Sequence, residues 1–154
     1  IVWPALSATP GLHLLAADHP DRLGVLSFYI EDLHYNLAVR LLNDRYGIQV
    51  RGGCSCAGTY GHYLLQVSIE RSKSITDKIN AGILCDKPGW VRLSLHPTMT
   101  DAAARFIVEA IRELAARHRE WAQDYRYCER RNEWFHREDC DFVDSTSAGF
   151  FAPL

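Results

Sequence analysis

A chain of 154 residues, 47% hydrophobic and 23% charged, can bury a core as one domain without disulfide staples, the composition of a globular and not a disordered chain. A formal net charge of −2 gives no electrostatic basis for binding nucleic acid or an anionic membrane. No apolar run reaches membrane-spanning length and no signal peptide opens the chain, so a cytoplasmic location is expected.

The chain opens Ile1-Val2-Trp3-Pro4 and its single methionine is Met99, from which we expect a piece of a longer protein. Pro4, Pro10, Gly11 and Pro20 make residues 1–22 an irregular lead-in. From Leu23 to Ile30, Leu26, Phe28 and Ile30 alternate with Ser27 and Tyr29, the pattern of a strand with one buried face. Asp32 is placed to cap the following helix, in which Leu33, Leu37 and Leu41 form an apolar stripe and Gly47 the end. Ile48-Gln49-Val50 reads as a short strand running into the glycine- and cysteine-rich segment Arg51 to Gly61. Beyond it, Tyr63 to Ile69 suits helix or strand, and Ser74 to Gly82 a short helix starting near Ser74 or Thr76.

Trp90 to His96 alternates again, with Val91, Leu93 and Leu95 toward the core and Arg92, Ser94 and His96 opposite. Thr98 or Thr100 then caps a long helix reaching about Trp121, whose buried face is expected to include Ala103, Phe106, Ile107, Ala110, Ile111 and Leu114. Tyr125 to Cys128 and Trp134 to His136 flank a turn and suggest a hairpin. The expected fold is α+β: residues 23–144 form a two-layer small domain, a mostly antiparallel sheet covered by helices, and residues 145–154 a loose tail.

Two stretches carry chemistry. Arg51-Gly52-Gly53-Cys54-Ser55-Cys56-Ala57-Gly58 is rich in residues that permit unusual backbone, so a mobile or tightly folded loop is expected. A cysteine there, near an arginine, can be held partly as thiolate, the nucleophilic form. From spacing alone, however, Cys54 and Cys56 read first as small apolar fillers. The five cysteines, Cys54, Cys56, Cys85, Cys128 and Cys140, are an odd, irregular set and read as reduced thiols. Zinc held by Cys54 and Cys56 with His62 or Cys85 lacks the paired Cys-x-x-Cys knuckles of structural sites, and no metal is expected. Arg92 offers a guanidinium fork that matches a carboxylate in two parallel bonds, although most strand arginines simply face solvent. His62 and His96 read as surface histidines before catalytic bases.

Together these segments resemble the SufS/NifS-like cysteine desulfurases and selenocysteine lyases of the class V aminotransferase family. Arg51-x-Gly53-x-x-Cys56-Ala57 is similar to that family's Arg-x-Gly-x-x-Cys-Ala loop, and Arg92-x-Ser94 after Gly89-Trp90-Val91 resembles its Arg-x-Ser strand. Leu42 to Arg51 is similar to the helix and strand that lead into the loop, and the helix after Thr100 resembles the family's final helix. The likeness runs from about Leu23 to Ala116.

The resemblance implies the C-terminal small domain of a pyridoxal 5′-phosphate (PLP) enzyme of fold type I, usually a homodimer, acting on an amino acid. It implies that Cys56 takes sulfur from the substrate and becomes a persulfide, for a possible sulfur-acceptor protein, while Arg92 grips the substrate carboxylate. Arg51, Gly53, Cys54 and Ala57 would then shape the loop. PLP also needs a Schiff-base lysine, which the family places after a histidine. Only Lys73, Lys78 and Lys87 occur here and none follows a histidine, so the cofactor is expected on an N-terminal large domain of the same protein and the chain alone is expected to be inactive. The chain departs from the family in having Gly58-Thr59 where proline often follows Cys-Ala, an inserted stretch from His62 to Lys87, and Thr98-Met99 in place of Tyr-Asn. These departures leave open an aminotransferase or epimerase of the same class without a cysteine nucleophile. A stand-alone, non-catalytic binding domain is the third reading.

Overall fold

The computed structural model describes residues 1–54, 58–84, 87–129 and 131–139, with 58 and 59 by backbone alone. It is a two-layer α+β unit, as the alternating and helical periodicities predict. Four strands, β1 (Leu12–Leu14), β2 (Val25–Ile30), β3 (Arg51–Gly53) and β4 (Trp90–Ser94), form an antiparallel sheet in the order β1-β2-β4-β3. Leu26, Phe28 and Ile30 of β2 and Val91 and Leu93 of β4 point to one face and are buried there. That face is covered by α1 (Val2–Ser7), α2 (Tyr35–Tyr46) and the long α5 (Asp101–Trp121). Phe28, Leu6, Leu41, Leu42, Ile111, Leu114 and Val91 are fully enclosed, so the apolar stripes of three helices close on the sheet's apolar face.

The first 22 residues differ from the irregular lead-in their prolines suggest. They contain α1 and β1, and Val2, Leu6 and Leu12 lie in the core. Pro4 is tolerated because it falls in the first turn of α1, where its missing N–H has no intrahelical partner to lose. Arg22 organises the connection to β2 by donating to the carbonyls of Leu15, Ala16 and His19, with its guanidinium over the Trp3 ring.

Other boundaries moved for local reasons. His34, not Asp32, caps α2, its Nδ1 accepting the Asn36 amide at 3.2 Å. Asp32 instead sits at φ 57° and pairs with Arg119 of α5 at 2.7 Å. Gly47 ends α2 in the left-handed region at φ 66°, as expected. The short strand expected at 48–50 begins three residues later as β3. Between β3 and β4 lie α3 (Gly58–Leu64) and α4 (Ile69–Asn80), the latter capped by Ser68 rather than Ser74 or Thr76. Thr100 caps α5 as expected, but Phe106 is 53% exposed; Val108, His118 and Trp121 complete the buried stripe instead.

After a turn of 3₁₀ helix, β5 (Tyr125–Cys128) and β6 (Glu133–His136) form the expected hairpin, which packs on α2. Asp44 ties the two together: it accepts from Arg40 Nε at 2.7 Å, the Tyr125 hydroxyl at 2.9 Å and Asn43 Nδ2 at 3.0 Å. Burial alone would raise the Asp44 carboxyl, but the bonds from Asn43, Arg40 and Tyr125 outweigh it and hold the group below its ordinary value. The unfolded carboxyl then takes up its proton first as pH falls. Stability contributed by Asp44 is therefore full above about pH 4 and is lost as pH drops through the folded-state value. Asp44→Asn is expected to cost about 1 kcal/mol at pH 7 and to flatten the acid limb of a denaturation profile. An unchanged acid limb would remove Asp44 from this role.

Candidate functional site

The face of the sheet away from α1, α2 and α5 carries Arg51 and Arg92, two of the residues singled out from the sequence. Opposed pairs in an antiparallel ladder share a face, and Arg92 of β4 is opposed by Ser27 of β2 on one side and Arg51 of β3 on the other. The three residues form one row across the sheet. The neighbouring row includes Gly53 opposite Trp90 and, at the other edge, Tyr29 opposite His13, with the last two rings stacked at 4.8 Å.

Arg92 is not a solvent-facing edge arginine. Its strand is interior to the sheet, the side chain is half-buried, and its Nε is enclosed without a hydrogen-bond partner among the described residues. An unpaired buried donor is costly, on the order of 1–3 kcal/mol. A carboxylate docked on this row would accept from the guanidinium and relieve that cost.

The base of the cysteine loop is built on a tyrosine. Tyr35, in the first turn of α2, is buried, and its ring lies beneath three glycines. A β-carbon at Gly52 would stand 3.0 Å from Tyr35 Cδ2, and one at Gly89 only 2.6 Å from Tyr35 Cε1 and 2.8 Å from Gly53 Cα. Gly53 itself has φ 105°, a conformation other residues resist. The glycines thus let β3 and the approach to β4 close over the ring. A similar fit docks α3: a β-carbon at Gly61 would meet the Trp90 indole at 2.9 Å, so the helix lies against the row beside Arg92. Between the end of α3 and β1–β2 remains a cavity of about 560 Å³ bordered by His13, Tyr29, Tyr63 and Gln66.

The expected site residues fall into two groups. Arg51, Gly53, Cys54 and Arg92 are brought together on adjoining strands and the loop base. Cys56 and Ala57 lie outside the described residues. Cys54 fits the filler reading, since its thiol donates to the Pro88 carbonyl and burial raises it above its ordinary value, against the lowering effect of Lys87. His62 and His96 are engaged locally, by Ser72 and Thr98. Among the described residues no three His, Cys, Asp or Glu side chains are placed to hold a metal ion, and no helix is long and apolar enough to cross a membrane. Ser27, Tyr35 and Trp90 were not singled out from sequence, where the glycines that accommodate the two rings read only as permitting unusual backbone.

Nor do the described residues assemble a PLP site. Lys73 and Lys78 lie on α4 beside Glu70 and Asp77, and Lys87 beside Cys54. With every strand pair antiparallel, no βαβ crossover presents a helix N-terminus for a phosphate.

No curated protein shows significant similarity to the chain. The family model for class-V aminotransferases matches residues 2–104, from α1 through the cysteine loop and Arg92 to the first turn of α5. The match covers more than half of the chain, which therefore belongs to the class-V aminotransferase family.

Proposed function

We propose that this chain is the substrate-carboxylate half of a PLP-dependent enzyme with cysteine desulfurase or selenocysteine lyase chemistry. The observation that carries the reading is Arg92, half-buried on an interior strand with its Nε unpaired among the described residues, flanked in one row by Ser27 and Arg51. A guanidinium so placed suits the α-carboxylate of an amino acid, held by two parallel bonds.

The family is PLP-dependent, and PLP, when bound, acts as the electron sink for the substrate's carbon skeleton. The described residues of this chain do not fit that group, so we assign its binding to an N-terminal large domain of the same protein, with the complete enzyme a homodimer. Within this chain Arg92 orients the amino acid, and Cys56, at the family's loop-cysteine position, accepts sulfur as thiolate. The substrate's carbon–sulfur bond breaks and a sulfur–sulfur bond forms on Cys56. The released carbon takes a proton, so L-cysteine and one enzyme thiol give alanine and one enzyme persulfide. A thiol of the solution or of an acceptor protein then removes the terminal sulfur.

The complete enzyme is expected to release sulfide and alanine from L-cysteine in the presence of a thiol reductant. Cys56→Ala should lose most of this activity, by a factor on the order of 10² or more, as removal of a covalent nucleophile does. Unchanged desulfuration in that variant sinks the role of Cys56. Transamination or epimerisation is the second reading, favoured by Gly58-Thr59 and by the inserted stretch from His62 to Lys87, which contains α4. Activity that needs Arg92 but tolerates Cys56→Ala would establish it.

A further inference from the structure

The hairpin β5–β6 lies beyond the residues the family model matches, yet it reaches the base of the site through one side chain. Asn132 is buried, with 7% of its surface exposed, in a turn that holds it at φ 53°. Its Nδ2 donates to the Tyr35 hydroxyl at 2.8 Å, its Oδ1 accepts from the Tyr127 hydroxyl at 2.7 Å, and its carbonyl accepts from Asn36 Nδ2. Left-handed backbone is tolerated by asparagine better than by most residues. One residue thus joins the hairpin turn to the first turn of α2 at two points, Tyr35 and Asn36, and is braced within the hairpin by Tyr127.

The Tyr35 ring is the floor under Gly52, Gly53 and Gly89. Its one face stacks on His34 at 4.5 Å, so the ring is held from the side by stacking and at its tip by Asn132. Gly52 and Gly53 end the strand carrying Arg51 and begin the cysteine loop. Gly89 lies three residues before Arg92. A shift of the ring would move both segments at once.

We infer that Asn132 is a positioning residue for the Arg92 site, clamping Tyr35 so that the cysteine loop base and the start of β4 keep their spacing. Its consequence for catalysis rests on the proposed reading of Arg92; the structural clamp does not. Hydrogen–deuterium exchange followed by mass spectrometry tests it on this chain. In Asn132→Ala, amides of 52–54 and of Gly89 and Trp90 should exchange about tenfold faster, while those of Leu26–Phe28 and Ile107–Leu114 change far less. Tyr35→Phe keeps the ring and removes only the hydroxyl, and should show the same local pattern in smaller measure; it also serves if Asn132→Ala fails to fold. Faster exchange spread evenly over the sheet and α5 in both variants overturns the clamp. In the complete enzyme, Asn132→Ala should raise KM for the amino acid about tenfold with kcat altered less than about threefold, since the lost precision falls on carboxylate binding. Equal loss in kcat with KM unchanged overturns the positioning role. Because exchange needs no substrate, a failure of the carboxylate reading would show in the kinetics of Arg92 variants while the local exchange pattern stood.

Discussion

Arg92→Ala is expected to lower kcat/KM of the complete enzyme for its amino acid by a factor on the order of 10² to 10³, chiefly through KM. Truncating one member of a desolvated arginine–carboxylate pair costs about 2–5 kcal/mol, and each 1.4 kcal/mol is about tenfold. Arg92→Lys keeps the charge but loses the planar fork, so it should recover only part of the loss. Stability should move the other way. In the free chain the Arg92 Nε is enclosed without a partner among the described residues, so its removal should leave the melting temperature unchanged or raise it slightly. A purely structural arginine would give the reverse: lower stability with KM intact. Steady-state kinetics and thermal denaturation of the two variants separate the cases.

Gly89→Ala should be the most damaging of the single-methyl additions at the loop base, with a cost of about 2–4 kcal/mol. The added carbon would sit 2.6 and 2.7 Å from two Tyr35 ring atoms and 2.8 Å from Gly53 Cα. The ring cannot swing aside cheaply, because it is buried and its hydroxyl is held by Asn132; the backbone of Gly53 cannot yield without moving β3. Gly47→Ala is the useful comparison. There φ is 66° and nothing lies within 4 Å, so the cost is backbone strain alone, about 1 kcal/mol. Denaturant midpoints of the two variants measure the difference. Equal destabilisation would mean that Tyr35 and the loop base are not packed as described.

Both predictions draw on features of different legibility. The alternation Leu26-Phe28-Ile30 and Val91-Leu93 marked two strands and their buried faces, because a period of two leaves one assignment once a core exists. Arg92 followed from that alternation: if Val91 and Leu93 face inward, Arg92 faces out. What alternation could not tell was that β4 lies between β2 and β3, which turns an apparent solvent arginine into an enclosed one. The start of the chain was misread because proline and glycine signal turns locally, whereas α1 and β1 form by docking Val2, Leu6 and Leu12 against distant elements. Asp32 was misplaced as a cap for a related reason. Its carboxylate is drawn to Arg119, far along the chain, and His34 takes the amide instead.

The sequence by itself determined the α+β class, the two alternating strands β2 and β4, the helix that Gly47 ends, the long helix that Thr100 caps, and the hairpin near the end. These follow from local periodicity, capping chemistry and motif spacing, all of which act over a few residues. The tertiary structure alone decided that Arg51, Arg92 and Ser27 share a row, that Trp90 and Gly61 dock α3 beside it, and that Asn132 reaches Tyr35 from nearly a hundred residues away. Strand order and packing join residues through space, and no spacing along the chain encodes which side chain will fill the room that a glycine leaves.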